Sequence, residues 1–178
     1  MLSRRRIPSV HAVAEVPSFA SVAERHLDDV HAYLVYLTRD RGIAEDLTAE
    51  TFERALRLWR RFDPRRGSAR TWLCQVARTV ALDHFRAEDR RRRREGVYAA
   101  AGRVEAEEGL FGGLSPELER ALAALSAGER EVIALRVLLD LDGETAARVL
   151  GISVTACSTR LSRALKKLEE RMSADVAA

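Results

Sequence analysis

The chain has 178 residues, of which 47% are apolar and 32% charged, which is enough for one ordinary domain or two small ones. Its two cysteines lie far apart and its four histidines lack metal-ligand spacing, so neither a disulfide framework nor a metal or cofactor site is expected. The start is basic but is not followed by a continuous apolar segment, and no apolar run is long enough to span a bilayer, so a cytoplasmic protein is expected.

The net charge of +3 is unevenly distributed along the chain. Residues 18–94 carry 17 basic and 12 acidic side chains, whereas residues 95–119 carry one basic and six acidic side chains. This asymmetry indicates a surface that binds a polyanion, followed by an acidic spacer.

The first half of the chain predicts a mobile basic tail over residues 1–17 and a helical unit over residues 18–94. The first helix follows Ser18, a plausible N-cap, and ends near residues 39–42. The second helix precedes a turn at residues 62–68, where proline and glycine interrupt the pattern. The third helix begins near Ser68 and ends in the five consecutive arginines at 90–94.

The second half predicts a flexible acidic linker over residues 95–115, a second helical unit over 116–172 and a short tail over 173–178. Ser115 is a good N-cap with Pro116 at the first helical position, and Ser126 and Glu129 have the spacing of a capping box. No strand alternation is present, so the predicted fold is all-α, with two small helical domains joined by the flexible linker.

The end of the second unit has the pattern of a helix-turn-helix. A short helix over about 143–150 is stopped by Gly151, and a longer helix runs over about 154–172. The apolar side of the longer helix is predicted to hold Cys157, Leu161, Ala164, Leu165, Leu168 and Met172, and its other side is basic. Such a helix fits the major groove of DNA. The alternative interpretation is an amphipathic helix with a solvated basic face in an ordinary bundle.

Four segments in this order resemble one known family, the extracytoplasmic-function (ECF) sigma factors of bacterial RNA polymerase, over about residues 18–172. In the first unit "AEDLTAETFERAL" looks like the family's polymerase-binding helix, and "RTWLCQVARTVALDHFRAEDRRRR" looks like its promoter-melting helix. In the second unit "LSAGEREVIALR" and "ARVLGISVTACSTRLSRALKKL" look like the domain that reads the upstream promoter element. The resemblance implies sigma region 2 over residues 18–94 and sigma region 4 over residues 116–172.

The resemblance implies that an acidic face of the second helix docks on the coiled coil of the polymerase's largest subunit. The residues that it assigns to this contact are Asp46, Leu47, Glu50, Phe52 and Arg54. Carboxylates suit a protein partner better than DNA. The alternative is a solvated acidic face beside a Phe52 that belongs to the core.

The resemblance also implies that the third helix melts and holds the minus-ten element. The residues that it assigns there are Trp72, Arg78, Thr79, Asp83, His84, Arg86 and Arg90. Thr79 stands where the family commonly has an asparagine, and Trp72 has the alternative role of a core residue. Arg86 and Arg90 are expected on the helix, and residues 91–94 are expected to follow the DNA backbone as the chain leaves for the linker.

For the minus-35 element the resemblance implies contacts from the second helix of the helix-turn-helix. They are expected from Thr155, Ser158, Thr159, Arg160, Arg163, Lys166 and Lys167. Arg160 and Arg163 are the candidates for base or close phosphate contacts. Thr155, Ala156 and Ser158 depart from the family's usual residues, so the promoter sequence of relatives cannot be transferred.

The function expected from this resemblance is that of an alternative sigma factor without catalytic activity of its own. Its expected partners are core RNA polymerase, promoter DNA and an anti-sigma factor. One alternative is an autonomous helix-turn-helix regulator that binds an operator as a dimer. A second alternative, a recombinase, needs a strand-containing catalytic domain with a placed serine or tyrosine, and the sequence indicates neither.

Overall fold

The computed structural model describes residues 17–94 and 114–176, and within that part all regular secondary structure is helical. Most of the predicted N-terminal tail and of the predicted linker therefore lies outside the described residues. The helices are α1 (Phe19–Thr38), α2 (Arg41–Leu58), α3 (Ala69–Arg94), α4 (Pro116–Ala123), α5 (Ala127–Ile133), α6 (Gly143–Leu150) and α7 (Val154–Val176). None of these described helices combines the length and apolar character that a membrane span requires.

The first unit is a three-helix arrangement in which α1, α2 and α3 pack pairwise. The side chain of Ser18 accepts a hydrogen bond from the amide of Ser21 and caps α1, as predicted. The break between α1 and α2 is shorter than the predicted one, because Arg39 ends α1 in a left-handed conformation and Asp40 caps α2 at once. Tyr33 and Leu73 are fully buried between the helices.

The segment between α2 and α3 contains two single 3₁₀ turns, Trp59–Arg61 and Pro64–Arg66, at the predicted turn. Trp59 stacks on Phe62 with ring centroids 4.8 Å apart, and both rings contact Trp72 of α3, at 5.7 and 5.5 Å. This aromatic cluster fixes the turn against the start of α3.

Helix α3 continues through all five arginines of residues 90–94. Residues 91–94, which were expected to follow the DNA backbone as the chain leaves for the linker, are therefore still part of the helix. The physical reason is the helix dipole: cationic side chains in the last turn interact favourably with the partly negative carbonyl end.

The second unit contains α4 to α7, and its predicted caps are confirmed. Ser115 caps α4, and Ser126 and Glu129 form the capping box of α5. After this capping box the chain begins as α5 and then widens into a π-turn over Ala134–Leu138. In this turn the amide of Leu139 donates to the carbonyl of Ala134 over 2.9 Å.

The helix-turn-helix consists of α6, a short turn and α7. Asp142 caps α6 by accepting from the amide of Thr145, and Gly151 ends it in the left-handed conformation at φ 67°. Cys157 and Ala164 lie on the buried side of α7. Leu165 was predicted on the buried side but is 46% exposed, and α7 extends four residues beyond its predicted end.

The two units pack against each other, and their buried side chains form one continuous cluster. Helix α1 contacts α5 and the π-turn, and α3 contacts α6. Polar contacts also cross this interface: Arg39 donates to the carbonyl of Ala123 over 3.3 Å, and the hydroxyl of Tyr33 donates to Glu131 over 3.1 Å. The surfaces that the sequence assigned to separate partners therefore lie on one packed assembly.

Candidate polymerase and nucleic-acid interfaces

The predicted polymerase-binding residues do not all share one face of α2. Asp46, Glu50 and Glu53 are exposed and follow one another at the spacing of a single helix face. Leu47 is only 4% exposed and belongs to the core, which favours a packing role over its predicted contact with a partner. It falls on the apolar stripe of the helix, about a quarter of a turn from the acidic face.

Phe52 is half-buried about one third of a turn away from the acidic face. Its ring packs edge-on against Phe19 with centroids 6.4 Å apart. It also lines a surface groove of about 610 Å³ between α1 and α2, together with Leu27, which is 48% exposed. Phe52 thus combines the packing role of the alternative interpretation with a surface that a partner can reach.

Arg54 connects the predicted polymerase-binding helix with the predicted DNA-binding helix. Its Nη1 lies 3.3 Å from Asp83 Oδ2, and the other oxygen of Asp83 accepts from Arg86 over 3.2 Å. All three side chains are substantially exposed. The sequence assigned Arg54 and Asp83 to different partners, and the fold makes them neighbours.

Five of the seven residues predicted near the minus-ten element lie on one face of α3. Their spacings of seven, four, three and four residues return to the same side of a helix with 3.6 residues per turn. They are Trp72, Thr79, Asp83, Arg86 and Arg90. Thr79 is exposed, and its hydroxyl donates to the carbonyl of Gln75 over 2.9 Å.

Arg78 and His84 lie on other sides of α3. The Nε of Arg78 is 2.7 Å from Glu131 Oε1 in the second unit, and its side chain is 25% exposed. His84 is half-buried, with its ring edge-on to Phe85 at 5.8 Å. Arg78 is therefore engaged by a carboxylate, and His84 contributes to packing.

A cavity of about 400 Å³ at the start of α3 contains residues that the sequence predictions omitted. Its lining includes Phe62, Asp63, Ser68, Trp72 and Gln75. Three arginines border the same cavity: Arg61, Arg66 and Arg148. Aromatic rings beside guanidinium groups suit a base and its phosphate. The signal in the sequence was the aromatic and arginine content of residues 59–68, of which 62–68 were interpreted only as a turn between helices.

The residues predicted to read the minus-35 element divide between two sides of α7. Thr155, Thr159, Arg163 and Lys166 are exposed and share one face. Ser158 is exposed at the edge of this face. They lie beside a broad surface depression of about 670 Å³ that also borders the start of α5. This face is exposed to solvent.

Arg160 and Lys167 project from α7 towards α5. The guanidinium of Arg160 lies against Gly128, where an added Cβ would come within 3.4 Å of Nη1. The ammonium of Lys167 donates to Glu129 Oε1, while the other oxygen of Glu129 accepts from the amide and hydroxyl of Ser126. The hydrogen bond from Lys167, with those from Ser126, lowers the pKa of Glu129 to about 2. Lys167 thus supports the capping box.

The two cysteines are buried and free. Burial raises the pKa of Cys74 to about 12, and it also raises the pKa of Cys157. Both groups stay protonated thiols at neutral pH, which suits packing. Within residues 17–94 and 114–176, no group of three or more histidine, cysteine or acidic side chains could hold a metal ion.

Two family models match the chain, one in each unit. Sigma-70 region 2 matches residues 22–91, and sigma-70 region 4 matches residues 115–168. The presence of both regions in this order does not favour an autonomous helix-turn-helix regulator.

Curated relatives of the chain are named as ECF RNA polymerase sigma factors. The ECF RNA polymerase sigma factor BldN of Streptomyces coelicolor is 33% identical over 160 residues, which cover 86% of this chain and 60% of BldN. The ECF RNA polymerase sigma factor SigC of Mycobacterium tuberculosis is 37% identical over 142 residues, covering 76% of this chain and 73% of SigC. The chain thus spans about three fifths of the length of BldN and about three quarters of that of SigC.

Solved structures share the fold over most of the chain. The sigma factor RpoE of Bartonella quintana, in complex with the anti-sigma factor NepR, has a TM-score of 0.75 at 25% identity and covers 90% of this chain and 99% of its own. CnrH, in complex with the cytosolic domain of CnrY, has a TM-score of 0.65 at 26% identity over 88% of each chain. This chain belongs to the sigma-70 family of RNA polymerase sigma factors and, within it, to the ECF type.

Proposed function

We propose that the chain binds core RNA polymerase, recognises the minus-35 and minus-10 elements of a promoter and opens the DNA for initiation. In this role residues 18–94 act as the melting unit and residues 116–172 as the upstream-reading unit, joined by a linker over 95–115. The chain acts in the cytoplasm through binding alone, and the chemistry of RNA synthesis belongs to the polymerase. The observation that carries this proposal is the pair of sigma regions, in order, on one chain.

The proposed docking surface for polymerase is the acidic face of α2. Asp46, Glu50 and Glu53 present three carboxylates, and Arg57 closes the strip in an ion pair with Glu53. The groove beside Phe52 adds an apolar contact next to the charges. Charge steers association and apolar area holds the complex, so this surface suits a basic partner with an apolar ridge.

The proposed melting surface is the exposed face of α3 together with the cavity at Phe62 and Trp72. Unstacking a base from the duplex costs a few kcal/mol, so the site has to recover that energy through stacking and phosphate contacts. Partly exposed rings supply the stacking surface, and the arginines of α3 supply charge along its length. Thr79 lies on the same face, where its exposed side chain can contact a base.

The proposed upstream-reading surface is the open face of α7. Thr155, Ser158, Thr159 and Arg163 lie in its first three turns, where a recognition helix reaches base edges. Arg160 and Lys166 add positive charge near the phosphates. Lys167 acts indirectly by holding α7 to the start of α5.

We also propose an anti-sigma factor as a regulatory partner. A groove of about 640 Å³ between the two units is lined mainly by apolar side chains, among them Val137, Leu138 and Leu165, which are 44–59% exposed. Two similar solved structures are complexes with NepR, an anti-sigma factor, and with the cytosolic domain of CnrY. An amphipathic helix of such a partner would cover this groove.

Reconstituted transcription tests the proposal. The purified full chain is mixed with core RNA polymerase and a genomic promoter library, and the transcripts are sequenced. We expect initiation at defined promoters only when both components are present. Tight, site-specific binding of duplex DNA by the chain alone, with no effect on the core enzyme, would contradict the sigma function.

A further inference from the structure

The groove between the two units has an apolar lining that the described residues leave uncovered. Helices α1 and α7 and the π-turn contribute to it, and three of its side chains are 44–59% exposed: Val137, Leu138 and Leu165. Aliphatic side chains that are exposed together in one concave surface mark a binding site, whereas scattered ones do not. This grouping indicates that another segment or molecule covers the groove.

The described chain resumes inside this groove after the gap at residues 95–113. Leu114 is the first described residue after Arg94, and it is half-buried. Its side chain lines the groove and packs against the core cluster. Residues 95–113 themselves lie outside the described residues, and the last of them are joined directly to a residue of the groove.

The residues that precede Leu114 are apolar and small. The sequence is GLFGGL over residues 109–114, so Leu110 and Phe111 stand four and three residues before Leu114, with glycines on both sides. Four residues of extended chain span at most about 14 Å, so both side chains stay within reach of the groove. Glycine has no side chain that would hold the backbone away from the surface. A leucine and an aromatic ring are thereby available at the edge of an uncovered apolar lining.

The connection to α3 does not prevent such a contact. Residues 95–113 can extend over roughly 60 Å, which leaves their last part free to follow the groove. Because Leu114 already lies in the lining, the segment before it has an effective concentration on the order of millimolar at the groove. A second copy or another protein in dilute solution meets the groove at a lower concentration. The chain's own segment is therefore the favoured occupant in the absence of a partner.

We propose that Leu110 and Phe111 dock in the groove of their own chain and cover its exposed aliphatic side chains. The docking goes beyond the proposed function, since it requires neither polymerase nor DNA. A partner helix that binds the same groove has to displace this segment first. That consequence alone rests on the proposed anti-sigma factor.

Alkylation of an engineered cysteine measures whether the groove is covered. Val137→Cys places a thiol in the groove, and Leu56→Cys places one on α2 outside it; the two native side chains are 59% and 57% exposed. Each reporter is made in the full chain, once with the native linker and once with Leu110→Ser and Phe111→Ser together. The rate of labelling by iodoacetamide at each position is followed by peptide mapping in a mass spectrometer.

We expect the paired serine substitutions to raise the labelling rate of Val137→Cys about tenfold, because a segment that is docked about nine tenths of the time protects the thiol by that factor. The rate of Leu56→Cys should stay unchanged. The native thiols of Cys74 and Cys157 are buried and stay protonated, so they react slowly in every variant.

Two further variants serve as controls. Leu165→Cys is a second reporter in the same groove, on α7, and its labelling rate should rise as that of Val137→Cys does. Val97→Ser with Tyr98→Ser removes another pair of adjacent large apolar residues from the linker, far from Leu114, and should leave both rates unchanged. Circular dichroism checks that each variant is folded, and if one groove reporter unfolds, the other decides.

Equal labelling of the groove reporters with native and serine-substituted linkers would overturn the docking. So would an equal increase from the control substitutions at residues 97 and 98, because any apolar part of the linker would then protect the groove. Protection that grows with the concentration of the chain would assign the groove to a second copy instead. The labelling involves neither polymerase nor DNA, so its result judges only the docking, whereas failure of initiation by the wild-type chain contradicts only the proposed function.

Discussion

Two adjacent lysines on α7 are expected to behave differently towards DNA. Lys166 is 75% exposed, and its nearest acid, Glu170, is itself 63% exposed with 3.8 Å between the charged atoms. Lys167 is bound to Glu129, whose side chain is only 11% exposed. We predict that Lys166→Gln weakens binding to DNA phosphate, while Lys167→Gln mainly weakens the fold.

The magnitudes follow from counterion release and from the ion pair. Each phosphate contact contributes about 0.9 to the slope of log affinity against log salt, so a threefold rise in salt costs about 2.7-fold in affinity per contact. Lys166→Gln should reduce the slope by about one such contact. Lys167→Gln should leave the slope nearly unchanged and reduce the free energy of unfolding by about 1 kcal/mol, a value kept small because Lys167 is half exposed.

The assay titrates the full chain into a fluorescein-labelled 20-base-pair duplex of mixed sequence, by anisotropy, at several salt concentrations. Urea unfolding gives the stability of the same three proteins. An equal reduction of slope in both variants would refute the reasoning, because it would mean that the contact with Glu129 does not withhold Lys167 from DNA. An unchanged free energy of unfolding in Lys167→Gln would refute the role of Lys167 in stabilising the fold.

Three further changes test the remaining surfaces. Asp46→Arg should reduce binding to core polymerase about tenfold or more in a pull-down, because it reverses a charge on the proposed docking face. The control Glu117→Arg, in the second unit, should leave this binding unchanged. Equal effects of the two variants would place docking elsewhere. The pKa of Glu129 is about 2 in the folded chain, below the unfolded value of about 4.3. The ionised carboxylate therefore stabilises the fold above about pH 4.3, and this contribution is lost as the pH falls towards 2. In urea unfolding, the difference in free energy of unfolding between wild type and Glu129→Gln should shrink over that pH range. A difference that stays constant would contradict this linkage. Arg163→Ala should weaken binding to the upstream element selected in the transcription assay by about 1–3 kcal/mol relative to mixed-sequence duplex, and an unchanged ratio would exclude a base contact.

The features that depend on local chemistry could be predicted from the sequence. Ser18, Ser115 and Ser126 each cap a helix at the predicted place, because a cap is decided by a side chain and the amide three residues later. The order of the sigma regions was also predictable, since each region has its own pattern of residues and the family models match both.

The contacts between distant segments could not be predicted in this way. Arg78 and Glu131 are 53 residues apart, and nothing in the periodicity of α3 or α5 indicates that they meet. The exposure of Leu165 also depends on how the two units pack, because the groove between them leaves this part of α7 uncovered. Lys167 was assigned to DNA because its charge was visible in the sequence and the carboxylate of Glu129 beside it was not.

The ion pair between Arg54 and Asp83 has a consequence for how such chains can be recombined. The pair itself is exposed and contributes little to stability, but it marks where α2 packs along α3, with Ala55 and Val80 buried in the shared core. A chimaera that exchanges α2 alone for that of a relative changes one side of this packing, and we expect it to shift the helix that is proposed to face DNA. Because α1 packs on both α2 and α3, the smallest segment that can be transplanted with its geometry intact is the continuous stretch from Phe19 to Arg94. The surfaces proposed for polymerase and for the minus-ten element are then exchanged together.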